Sequence, residues 1–116
     1  MKWLSVALAS LGLAISALAA EQPAARWISA GGALSEWIVE LGGADRLVAV
    51  DTTSRHLPQL QALPVIGYQR QLAAEGILAL APDVLLGTEE MGPLPVLEQL
   101  RNAGVAVEIR PATAQL

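Results

Sequence analysis

"RWISAGGALSEWIVELGGADRLVAVD", residues 26–51, decides the fold class. RWISA reads as a short strand closed by Gly31-Gly32. In the segment that follows, Leu34, Trp37, Ile38 and Leu41 stand at i, i+3, i+4 and i+7, the spacing of one helix face. Gly42-Gly43 supplies the helix stop. RLVAVD then runs apolar without alternation and ends on Asp51, as suits a strand buried on both faces of a parallel sheet. Strand, helix and strand joined by short connections make a βαβ unit.

The rest of the chain extends this alternation. TTSRHLPQLQALP is polar and broken by two prolines, so it is read as mostly loop with a helical turn. VIG is short and extended. QLAAEGILALAPD reads as a helix with Leu72, Ile77 and Leu80 on its apolar side and Pro82 at its end. VLLG is a further buried strand. LPVLEQLRNAG is a helix carrying Leu94, Leu97 and Leu100 on one side, with Gly104 as its cap. VAVEIRP is a strand in which Val105, Val107 and Ile109 alternate with polar residues. The expectation is an α/β fold with a mostly parallel sheet flanked by helices. Right-handed crossovers then bring the loops at Asp51–His56, Gly67–Arg70 and Gly87–Met91 to one edge of the sheet, where α/β ligands sit.

Upstream, Lys2 precedes the apolar run WLSVALASLGLAISALAA, which ends in small residues at Ala17, Ala19 and Ala20. That is the pattern of a cleaved secretory signal peptide over residues 1–20, starting the mature chain at Ala20 or Glu21. An uncleaved anchor is the rival, and the run is marginal for a bilayer span of ~20 apolar residues. Loss of Lys2 leaves six Arg against eleven acids, net −5. Such a balance argues against nucleic acid as a partner. The absence of cysteine excludes disulfides and thiolate metal sites.

Several residues have the chemistry of a site. Gly31-Gly32 lacks the third glycine of a dinucleotide loop and the Gly-Lys-Ser/Thr of a phosphate loop, so it reads as turn punctuation. Ser54 and His56 are the only pair available for nucleophilic catalysis, and no G-x-S-x-G elbow surrounds them. His56 reads as a solvated loop histidine, and Glu89-Glu90 as a solvated loop edge. Tyr68 is the only tyrosine of a chain without Phe, and Arg70 follows two residues later. Two readings of this pair stay open on the residues alone. It is either a half-packed surface tyrosine with a solvated arginine, or a phenolate ligand for ferric iron whose anion a guanidinium supports. In an extended loop, residues i and i+2 share a side, which would bring Arg70 to Tyr68.

GYQRQLAAEGILALAPDVLLGTEEMGP, together with RWISAGGALSEWIVELGGADRLVAVDTTSRHLP, resembles the periplasmic haem-binding proteins of bacterial haem ABC importers across residues 26–111. The resemblance implies that Tyr68 is the axial ligand of ferric haem and that Arg70 supports its phenolate. It implies a periplasmic carrier rather than an enzyme, one that delivers haem to an inner-membrane permease. Glu75 matches the glutamate that related receptors turn toward permease arginines. The chain departs from the pattern after DTTS, where RHLP replaces an expected aromatic. Arg55 and His56 are therefore possible cleft residues, and His56 is a rival iron ligand. The family has two α/β lobes joined by a helical hinge, and this sequence resembles the N-terminal lobe. The domain expectation is thus a signal at 1–20 and a truncated N-terminal haem-binding lobe at 21–116. The alternatives are a siderophore- or cobalamin-binding lobe, or a secreted α/β hydrolase fragment using Ser54 and His56.

Overall fold

The computed structural model describes residues 24–111. The signal segment expected at the N-terminus lies outside them. Four strands, β1 (Trp27–Ala30), β2 (Leu47–Val50), β3 (Val84–Thr88) and β4 (Ala106–Arg110), form one parallel sheet in the order β2-β1-β3-β4. The register sets Trp27 beside Val84 and Val84 beside Ala106. Val65 adds an isolated parallel bridge to Val50, so the VIG segment extends the sheet beyond β2. Three α-helices cover the faces: α1 (Gly32–Glu40), α2 (Ala74–Leu78) and α3 (Leu94–Asn102).

Alternation along the central strands divides the core in two. Ile28, Ala30, Ala49 and Leu85 pack with Leu72, Ile77, Leu97 and Leu100 on the face covered by α2 and α3. Leu47 and Val50 pack with Ile38 and Leu60 on the face covered by α1 and the loop after β2. Burial on both faces explains why β2 lacks polar alternation.

Three expectations are corrected in detail. The face of α1 is rotated from Leu34/Trp37/Ile38/Leu41: Ser35 and Ile38 are buried, while Trp37 is exposed and Leu41 is 77% exposed beyond the helix end. Polar Ser35 takes a core position because two buried hydroxyls meet it there. In α3, Leu97 and Leu100 are fully buried but Leu94, the first residue of the helix, is 67% exposed. Finally, α2 spans only five residues. Ala73 is extended, and Leu72 N–H donates to the Gly92 carbonyl (2.9 Å) instead of entering the helix.

The end of α2 lies at the sheet edge opposite the ligand-type loops. Arg26 there donates from Nη2 to Leu80 O (2.7 Å) and from Nε to Ala81 O (3.1 Å). Its backbone exchanges hydrogen bonds with Asp83 (2.7 and 2.8 Å). The guanidinium thus satisfies two carbonyls of the turn that follows α2.

Candidate functional site at the C-terminal edge of the sheet

Asp51 ends β2 and organises this edge. Its buried carboxylate accepts from Gly31 N–H (2.9 Å) and Ser54 Oγ–H (2.9 Å) at Oδ1. Thr53 Oγ1 (2.7 Å) and Thr53 N–H (3.3 Å) donate to Oδ2. Gly32 N–H donates to Thr53 Oγ1 (2.7 Å). The first amides of α1 are thus satisfied from twenty residues away by the end of the next strand, and an acid sits where the helix dipole favours one. This occupation bears out Gly31-Gly32 as structural. A Cβ at Gly32 would collide with the Thr53 carbonyl and press on the His56 ring at 3.3 Å.

The same carboxylate orients a chain of buried hydroxyls. Ser54 spends its single proton on Asp51, so it accepts from Ser35 Oγ (2.6 Å), which in turn accepts from Ser29 Oγ (2.8 Å). Ser54 is therefore an enclosed member of a structural network. The hydrolase alternative loses its pair: His56 donates or accepts elsewhere and Ser54 Oγ is turned inward. His56 Nδ1 lies 3.0 Å from Thr53 O, which makes that nitrogen the N–H donor. Its Nε2 is left facing Glu36 Oε1 of α1 at 3.5 Å.

The loop carrying Tyr68 is laced to its neighbours on both sides. Thr52 N–H donates to Gly67 O, Gly92 N–H to Gln69 O, and Leu72 N–H to Gly92 O, each at 2.9 Å. Gly67 adopts φ +100°, a turn into Tyr68 that favours glycine. Tyr68 stands 41% exposed at the rim. Tyr68 and Arg70 do not share an extended segment, which corrects the i, i+2 expectation. Gln71 N–H closes a turn onto Tyr68 O (2.9 Å), and Arg70 swings across to Glu90, donating from Nη2 to Oε2 at 3.0 Å. Glu90, read from sequence as a solvated edge, is thus the partner of the loop arginine. Only a spatial signal finds that pair, since twenty residues separate the two in the chain.

Arg55 lies on the neighbouring loop and is exposed. It borders a cavity of about 300 Å³ lined also by Leu60, Gln61, Leu63 and Val65. Tyr68, Arg70, Arg55 and His56 therefore all occupy loops of one sheet edge. Glu75 is exposed in the first turn of α2, just past the Tyr68 loop. Among the described residues, no group of three or more His, Asp or Glu is placed to hold a metal ion. No described helix is long and apolar enough to cross a membrane.

The family model for periplasmic binding proteins matches residues 28–111. A solved periplasmic haem-binding protein from Pseudomonas aeruginosa is 68% identical, with a TM-score of 0.73 over 75% of this chain and 31% of that one. HutB of Vibrio cholerae, a periplasmic haem-binding protein, is 49% identical with a TM-score of 0.69 over 73% of this chain and 33% of its own. RhuT from Roseiflexus sp. RS-1, also a periplasmic haem-binding protein, is 42% identical with a TM-score of 0.71 over 75% and 34%. This chain spans about a third of the length of these solved relatives. No curated protein matches it.

Proposed function

The chain belongs to the periplasmic binding protein family, and from that premise we propose that it is the N-terminal lobe of a carrier that binds ferric haem in the periplasm and delivers it to a membrane permease. It acts by binding, not by catalysis, and reaches the periplasm through a cleaved signal peptide. The observation that carries this reading is Tyr68, the chain's one phenol, exposed in a tightly laced loop at the edge of a parallel sheet. The 68% identity to a haem-binding protein supports the same cargo.

A phenolate is a hard anionic ligand suited to ferric iron, and binding to the metal drives loss of the phenolic proton. Tyr68 supplies that oxygen in this proposal. Arg70 leaves Glu90 to steady the anion, and Arg55 and His56 border the ligand from the adjacent loop. The test is spectroscopic. Hemin added to the full-length protein should produce a Soret band with tyrosinate-to-iron charge-transfer features, and Tyr68→Ala should abolish those features and most of the affinity. An unchanged spectrum in Tyr68→Ala, with loss in His56→Ala, would transfer the ligand role to the histidine.

A further inference from the structure

Arg70 is the cation closest in sequence to Tyr68, yet its guanidinium is held by a carboxylate. Arg70 Nη2 and Glu90 Oε2 are 3.0 Å apart, with both side chains substantially exposed. The two loops that bear them are fixed to each other at Gly92, which donates to Gln69 O and accepts from Leu72 N–H. Glu90 is therefore delivered to Arg70 by the backbone, not by chance meeting of two mobile side chains. We propose that Glu90 is a positioning residue that competes with the Tyr68 phenolate for Arg70 and thereby speeds release of the ligand.

The inference rests on the haem reading. With Glu90 present, the pair contributes no net charge beside Tyr68. Without it, a free guanidinium would stand two residues from the phenolate and close to an anionic ligand, and opposite charge at short range favours the ionised oxygen. An exposed ion pair is also weak enough to be exchanged, because solvent screens it and ordering two long side chains offsets much of its attraction. A carrier that hands on its cargo benefits from such a competitor, since differences in affinity between related complexes lie mostly in the dissociation rate.

The experiment uses four variants of the full-length protein, Glu90→Gln, Glu90→Asp, Arg70→Ala and the Glu90→Gln/Arg70→Ala double variant. Readouts are the tyrosinate-to-iron charge-transfer band and the rate of haem transfer to excess apomyoglobin. Glu90→Gln should keep the band and slow transfer by roughly two- to fivefold, the scale of an exposed ion pair. Glu90→Asp should restore the wild-type rate, and Arg70→Ala should speed transfer. In the Arg70→Ala background, Glu90→Gln should change nothing, because its effect runs through the arginine. Faster or unchanged transfer in Glu90→Gln overturns the inference, as does equal slowing with and without Arg70. A wild-type protein lacking the charge-transfer band would instead remove the haem reading, and this inference with it.

Discussion

Asp51 shows how much one side chain decides here. Four donors converge on its two oxygens, and they come from the first turn of α1 and from its own loop. Asp51→Asn places an NH₂ group opposite donors whichever way the amide is turned. The expected loss is about 2–3 kcal/mol of stability, from buried donors left without an acceptor, read as a lower denaturation midpoint at unchanged slope. In the sequence Asp51 is only an acid at the end of an apolar run, because its donors are spread over residues 31–54. Ala81 offers the opposite case. It adopts φ +50° at the end of α2, a conformation in which a Cβ is strained. Ala81→Gly should raise stability by ~0.5 kcal/mol, the relief of strain exceeding glycine's extra entropy loss. An unchanged or lower midpoint would refute that balance.

Helix α3 separates periodicity from placement. Leu94, Leu97 and Leu100 look equivalent in the sequence, yet Leu97 and Leu100 are sealed in the core and Leu94, at the helix start, is exposed. Leu97→Ala should cost about 2–5 kcal/mol through lost burial and a residual cavity. Leu94→Ala should stay within ~0.5 kcal/mol. Paired denaturation curves check both, and similar losses would mean that the first turn packs as tightly as the second. Helix α2 carries a functional expectation instead. Glu75 is exposed on it and makes no demand on the core. Under the proposed function, Glu75→Ala leaves haem binding intact and weakens permease association, more strongly at low salt, where unscreened charge acts furthest. Equal transport by both proteins across ionic strengths would remove the docking role.

At the scale of the molecule, the layout implies exposure of any flat ligand held at this one edge. Ligand sites bury ~70–90% of what they hold, and a single sheet edge faces one side of a porphyrin. Under the proposed function, the 116-residue chain should therefore lose haem to excess apomyoglobin faster than a protein carrying the full length of the solved relatives, of which it matches about a third. Equal rates would show that this edge suffices. Strand and helix identity, their alternation and the parallel class were legible in the sequence by itself, because unbroken apolar runs, helical spacing and Gly/Pro stops are local consequences of which faces are buried. So was the singular Tyr68, through composition and the loop around it. Only the tertiary structure decided the turn that carries Arg70 off to Glu90, the rotation of α1 onto Ser35 and the convergence of four donors on Asp51. Those depend on loops from different strands meeting at one sheet edge, and contacts between residues about twenty positions apart leave no period in the sequence.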